Sequence, residues 1–260
     1  MNFYQERFGG LTRIFGETYL HIAQNAHVCV VGIGGVGSWV VESLARSGIA
    51  QLTLVDLDDV CITNTNRQLH AFEGQVGKLK VEAMAERAKQ INPDIIVHTH
   101  AEFFTTASAS NILQPQFDFV VDAIDSIPDK CLLIAECRKR SIPLVVSGGA
   151  GGKTDPTKII CDDLSRSQGD NLLKSLKRAL KKHCSIEPNA QGEFGVTCVF
   201  SREPAILPWD VCASTPKPEG GSGVRIDCAS GFGAASFVTG AFGLAIASLV
   251  VRNIAQKNIS

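Results

Sequence analysis

The chain has 260 residues, 45% of them hydrophobic and 20% charged, with a formal net charge of −1. That is the length and composition of one large globular domain, or of one domain with an appendage. The near-zero charge excludes binding to nucleic acid by bulk electrostatics, so any such contact must come from a local patch. The nine cysteines contain no CxxC pair, which argues against structural zinc. Their odd number, and an N-terminus (MNFYQERFGG) without an apolar signal core, predict reduced thiols in a cytosolic protein.

In chain order, residues 27–32 (HVCVVG) form a short apolar run, predicted as a buried first strand. Residues 36–47 are predicted as a helix and 51–56 (QLTLVD) as the second strand. Helical periodicity over 78–91 ends at Asn92-Pro93. Residues 95–99 and 117–122 (FDFVVD) are predicted strands. A helix follows over about 128–140, and the strand 143–147 stops at Gly148-Gly149. Strands alternating with helices predict an α/β fold, a Rossmann-like doubly wound, mainly parallel sheet. Their continuous apolar character places cover on both faces. Beyond Gly152 the pattern weakens into a less regular C-terminal extension. There, 158–161 and 196–200 are expected as strands of a smaller mixed half, 171–182 as an amphipathic helix, and the Pro- and Gly-rich 202–225 as a long loop.

The stretch from Ala229 to Val251 carries no charge and is long enough to span a bilayer. Gly231, Gly233, Gly240 and Gly243, with Ser and Thr among them, suit close helix packing, and the chain offers no second apolar span. A buried core or dimer helix is therefore expected rather than membrane association.

The segment VVGIGGVGSW places Gly32, Gly34, Gly35 and Gly37 between the first strand and its helix. Glycines let the backbone turn tightly against a phosphate, and the helix N-terminus presents free N–H groups to it. This signal says nucleotide without saying which. Asp56 ends the second strand, 19 residues after Gly37, where a carboxylate can accept from ribose hydroxyls of either NAD or ATP. Asp58 and Asp59 follow, as Mg²⁺ ligands or as solvated loop residues. Asn64, Arg67 and Gln68 come next, with Lys80 thirteen residues after Arg67. Asp122 and Asp125 fall at the carboxyl edge of the sheet, where open α/β sheets bind ligands. Cations converging on a phosphate chain suit nucleotidyl transfer, with an aspartate and Mg²⁺ orienting the leaving pyrophosphate. A nicotinamide dehydrogenase has no use for them.

GxGGxG, LVDLDDVCITNTNRQ, the Lys80 helix and VVDAIDS together resemble the ubiquitin-activating-type adenylating superfamily. The resemblance implies that Gly34, Gly35, Asp56, Asp58, Asn64, Arg67, Lys80 and Asp125 bind ATP and Mg²⁺, with Asp125 on the metal. A narrower resemblance spans nearly the whole chain. RFGGLTRIFGE, VSGGAGGKTDPTKI, GVTCVFS and DCASGFGAASFVTGAFG are similar to segments of the tRNA threonylcarbamoyladenosine dehydratase group. It implies adenylation of the threonyl carboxylate, then attack by the carbamoyl oxygen with release of AMP and ring closure. It also implies a homodimer and a link to a cysteine desulfurase or sulfur-acceptor system. Superfamily members carry an N-terminal arginine pair, the second reaching the partner subunit's ATP. Arg7 matches the first, Gly10 stands in the place of the second, and Arg13 is the substitute at shifted spacing. The zinc-binding CxxC pairs of many relatives are missing, which fits the dehydratase group.

A reactive thiol is not required when the nucleophile is already held beside the carboxylate. Cys228, next to Asp227, is the candidate for one, against a buried structural cysteine. For tRNA, Lys174, Lys177, Arg178, Lys181 and Lys182 share one face of the 171–182 helix, a stripe suited to a phosphate backbone or simply a solvated face. His70, beside the Asn-Arg-Gln segment, is read as structural. The expected organisation is one domain over 1–260, with an ATP-binding core over 1–150 and a substrate- and dimer-completing part over 151–260. The alternatives are adenylation of a sulfur carrier's C-terminus, a nicotinamide dehydrogenase, and a non-catalytic tRNA-binding or sulfur-relay partner.

Overall fold

The computed structural model describes residues 3–211 and 232–256. Three short helices open it: α1 (Phe3–Phe8), α2 (Thr12–Phe15) and α3 (Tyr19–Asn25). Then follow β1 (His27–Val31), α4 (Gly37–Arg46), β2 (Gln51–Val55), α5 (Lys80–Ile91) and β3 (Ile96–His100). Next come α6 (Ala109–Ile112), β4 (Phe119–Asp122), α7 (Ile127–Lys139), β5 (Leu144–Ser147) and β6 (Ile159–Asp163). The chain continues through α8 (Asn171–Cys184), β7 (Thr197–Ser201), α9 (Pro208–Val211) and α10 (Ser236–Gln256).

The strands form one seven-stranded sheet in the order β3-β2-β1-β4-β5-β7-β6. All neighbours run parallel except β6, which pairs antiparallel with β7 as the last strand. The α/β class and the predicted strands are therefore present. The separate mixed half is not: β7 joins β5 in the main sheet because its buried run is as apolar as the interior strands. β6 is only half-buried, as an edge strand is. The chain leaves β1 toward β2 on one side and returns to β4 on the other, which makes the β1–β4 boundary the switch point of the sheet.

The long uncharged stretch is a helix from Ser236 onward; Ala229 to Gly231 lie outside the described residues. By length and composition α10 could cross a membrane, but its inner face, Val238, Phe242, Ile246, Val250 and Ile254, lies in the main core. Glycine brings it onto α4: a Cβ on Gly243 would stand 2.5 Å from Trp39 Cβ and 2.8 Å from the Val36 carbonyl. Gly243→Ala is expected to cost about 1–3 kcal/mol through this overpacking, read as a lower urea midpoint at unchanged slope.

Local rules explain the ends of α7 and α8. Pro128 and Asp129 sit in the first turn of α7, and Arg138 and Lys139 in its last. Asp170 caps α8, which runs two residues beyond the predicted end and carries Lys181, Lys182 and His183 in its last turn. It stops at Ser185, whose φ of 54° is left-handed.

Candidate functional site

A cleft of about 640 Å³ opens at the carboxyl ends of the central strands. Its walls include Gly32, Gly34 and Gly35 after β1, Asp56 and Asp58 after β2, Asn64, Arg67 and Gln68, Lys80 at the start of α5, and Asp125 after β4. Residues far apart in sequence thus meet at the switch point, as their spacing predicts.

The glycine loop is shaped by close approaches. Gly32 has φ 91°, and a Cβ there would stand 2.7 Å from the Ala123 carbonyl, so the loops after β1 and β4 touch. Gly37 plays a different part from the one expected. It does not line the cleft; a Cβ on it would collide with the Gly32 carbonyl at 1.8 Å, so it closes the turn from inside.

Asp56 is engaged at both oxygens. Oδ2 accepts from Ile33 N at 2.6 Å and Oδ1 from Asp58 N at 2.9 Å, tying the glycine loop to the end of β2. Burial pushes its carboxyl above the usual range, against the pull of Lys80. Lys80, almost wholly buried, reaches up to Asp58 at 2.6 Å. Asn64 accepts from Cys61 N at 3.0 Å, which closes the short helical turn before Arg67. The Arg67 guanidinium donates to Thr63 O at 2.9 Å and to Asn66 Oδ1 at 3.0 Å. The Arg67 carbonyl accepts from Thr239 Oγ1 at 2.9 Å and from Trp39 Nε1 at 3.3 Å, so α10 and α4 hold this segment from behind. Buried Gln68 is part of the cleft wall, and its Oε1 has no partner among the described residues.

Two expectations change, those for Asp122 and for the cationic stripe of α8. Asp122 does not face the cleft. It is wholly buried with Lys130, whose Nζ lies 2.9 Å from Asp122 Oδ1 and 2.9 Å from the Ser147 carbonyl. Two charges sealed from water must pair, and Lys130 is the partner that α7 supplies. Arg13 is exposed on α2 and is not among the cleft-lining residues of its own chain. Lys177 is drawn off the cationic stripe, donating to Ser167 O at 3.0 Å, and Lys181 pairs with Glu187 at 3.6 Å. Lys174, Arg178 and Lys182 stay exposed along α8. Cys228 lies outside the described residues, so its role as a reactive thiol has no structural account.

Other cleft residues escaped the sequence reading: Phe103, Ser147, Gly148, Gly149 and Leu172. Lys130 escaped too, although a lysine at the spacing of buried Leu133, Ile134 and Cys137 marks a cation on an apolar face. Phe103 carried a fainter signal, an aromatic just past a strand's carboxyl end.

His70 is buried, and both its ring nitrogens lack partners among the described residues. Burial, with Lys80 nearby, lowers it to about 4. His27 is lowered to about 4 by burial and by His98, against the pull of Asp118. Unfolded histidine takes its proton near 6.5, so between pH 6.5 and 4 the unfolded chain binds protons that the folded one refuses. Stability is therefore expected to fall as pH drops through this window, by about 1.4 kcal/mol per pH unit for each ring. Urea midpoints at pH 7, 6 and 5 measure the slope, and His70→Gln should reduce it.

A glycine loop on the first strand, an acidic end to the second and converging Arg67 and Lys80 define a nucleotide-binding α/β protein of the adenylating class. The chain belongs to the ThiF family, whose profile matches residues 8–260. It is 47% identical over 257 residues to the tRNA threonylcarbamoyladenosine dehydratase of Escherichia coli (strain K12), covering 98% of this chain and 95% of that one. The protein of the same description from Bacillus subtilis (strain 168) is 42% identical over 192 residues, 74% of this chain and 73% of that one. The crystal structure of E. coli tRNA N6-threonylcarbamoyladenosine dehydratase in complex with ATP matches with a TM-score of 0.89 at 42% identity, covering 100% of this chain and 98% of that one. The complex of that enzyme with AMP matches with the same score and coverage.

Proposed function

We propose that this chain uses ATP to dehydrate threonylcarbamoyladenosine in tRNA, in the cytosol. The observation that carries the reading is the meeting of the glycine loop, Asp56, Arg67, Lys80 and Asp125 in one cleft, in a chain nearly half identical over its length to a dehydratase of that description.

The cleft fits a nucleoside triphosphate on its own chemistry. Gly32 leaves no room for a side chain, the cations Arg67 and Lys80 stand in the walls, and the wall residue Gln68 has a buried oxygen without a partner among the described residues. In this reading the backbone of Gly34 and Gly35 seats phosphate oxygens and Asp56 accepts from the ribose. Arg67 and Lys80 offset the phosphate charge that grows as pyrophosphate leaves. The threonyl carboxylate attacks the α-phosphate and pyrophosphate departs. The carbamoyl oxygen then attacks the acyl carbon, AMP leaves and the ring closes, with net loss of water from the nucleoside. Exposed Asp125 is the residue that would hold Mg²⁺, which supplies Lewis-acid neutralisation of the phosphates when bound. Asp58 is already paired with Lys80 and holds that lysine ready rather than a metal.

The exposed cations of α8 are the RNA-facing surface of the same reading. So is a homodimer: Phe237 and Leu244 are exposed on the outer side of α10, apolar surface that a second copy would cover. Sedimentation tests it, with monomer alone as the contrary result. A cysteine desulfurase or sulfur-acceptor partner would register as a complex in co-sedimentation with the purified desulfurase. The function itself is tested by incubation with ATP, Mg²⁺ and threonylcarbamoylated tRNA, followed by nucleoside mass measurement. Loss of one water is the expected result. ATP–pyrophosphate exchange driven only by a carrier protein's C-terminus would replace this reading with sulfur-carrier activation.

A further inference from the structure

Asp170 belongs to neither the glycine loop nor the Arg67–Lys80 wall and does not line the cleft, yet it holds a residue that does. It is only 7% exposed. Its Oδ1 accepts from Leu173 N at 2.9 Å, which caps α8. Its Oδ2 accepts from Gly149 N at 2.8 Å, in the loop after β5. One carboxylate therefore grips two elements at once. Gly148 makes the grip possible: a Cβ there would stand 2.3 Å from Asp170 Oδ2 and 3.1 Å from Phe200 Cβ. The residue before the clamp is held as well, because the buried Lys153 ammonium donates to Gly169 O at 3.0 Å and also to the Glu203 carbonyl.

The two gripped elements have different faces. Gly148 and Gly149 line the cleft, and so does Leu172 in the first turn of α8. Further along, the same helix exposes Lys174, Arg178 and Lys182. From Leu172 to Lys182 it runs roughly 15 Å at 1.5 Å per residue, as one stiff body. Its cations are thus rigidly placed relative to the cleft only as long as the first turn is fixed to the loop.

We propose that Asp170 is a positioning residue that sets the Gly148–Gly149 wall in register with α8. With the RNA backbone held on the cations of α8, the threonyl carboxylate of the modified adenosine is then presented at that wall. The proposal rests on the tRNA reading above. Its physical content is orientation: a misplacement of about 1 Å between bound groups can cost on the order of a hundredfold in rate.

Asp170→Ser separates the two grips. Serine is a good N-cap and keeps the Leu173 bond, but its single short hydroxyl cannot also reach Gly149. The expected result is a fall in kcat on threonylcarbamoylated tRNA of about ten- to a hundredfold, with KM for ATP and Kd for tRNA within about twofold. Amide hydrogen exchange should quicken at 147–151 and stay slow at 173–184. A kcat within about twofold of wild type, or parallel losses of ATP and tRNA affinity, would overturn the proposal. A wild-type enzyme inactive on this tRNA would strike the functional reading instead. The clamp is then decided by exchange alone, where unchanged protection at 147–151 in the variant overturns it.

Discussion

Lys80→Met is expected to lower kcat for ATP-dependent dehydration of threonylcarbamoylated tRNA by about 10²- to 10³-fold, with little loss of stability. Lys80 is the most withdrawn cation of the cleft wall, with 7% of its side chain exposed, against 55% for its partner Asp58. A charge in such a place is weakly screened, so its effect on developing phosphate charge is larger than that of a surface lysine. Methionine keeps the packing of the stem and removes only the charge. Of the two carboxylates left behind, Asp58 is half in water and costs little to leave unpaired, and Asp56 keeps its bonds from Ile33 N and Asp58 N. ATP binding should weaken modestly and the chemical step strongly, because the charge matters most as pyrophosphate departs. Rapid-quench measurement of AMP formation, with nucleoside mass as the second readout, separates the two. Activity within about threefold of wild type would remove Lys80 from the phosphate chemistry.

The largest effect on stability is expected from Asp122→Ala, about 3–5 kcal/mol. Neither side chain of the Asp122–Lys130 pair has any exposure to solvent. Burial pushes the Asp122 carboxyl up and the Lys130 ammonium pulls it back. Losing the aspartate strands an ammonium in the interior, with the Ser147 carbonyl as its one remaining hydrogen-bond partner among the described residues. It also releases Ile124 N, which donates to Asp122 Oδ1 at 3.0 Å just before Asp125. The double variant Asp122→Leu with Lys130→Met should recover most of the loss, since apolar replacement of a whole buried pair is often neutral. Urea unfolding of the three proteins decides it. A single variant as stable as wild type would mean that the pair is not sealed from water.

The sequence made the adenylating core legible because its signals are local. Glycines before a helix, an aspartate ending a strand and a Lys one helix onward each depend on spacing along the chain. Spacing does not reveal inward or outward direction. Asp122 ends β4 and Asp125 follows three residues later, yet one is sealed beneath the cleft and the other lines it. Gly37 likewise matches a phosphate-loop pattern but is packed against the Gly32 carbonyl and does not line the cleft. On α8 the cationic stripe was plain from periodicity. That Lys177 is spent on the Ser167 carbonyl depends on a loop folded against the helix from ten residues away.

By itself, then, the sequence determined the α/β class, the order of the main strands, the nucleotide loop and the family, all written in short-range pattern and local backbone chemistry. Only the tertiary structure decided that β6 and β7 extend the same sheet, that Lys130 neutralises Asp122, and that Asp170 joins α8 to the cleft wall. Those outcomes turn on which side chains meet across elements and on the cost of burying a charge or polar group without a partner. That cost is set by packing in three dimensions and leaves no period in the sequence.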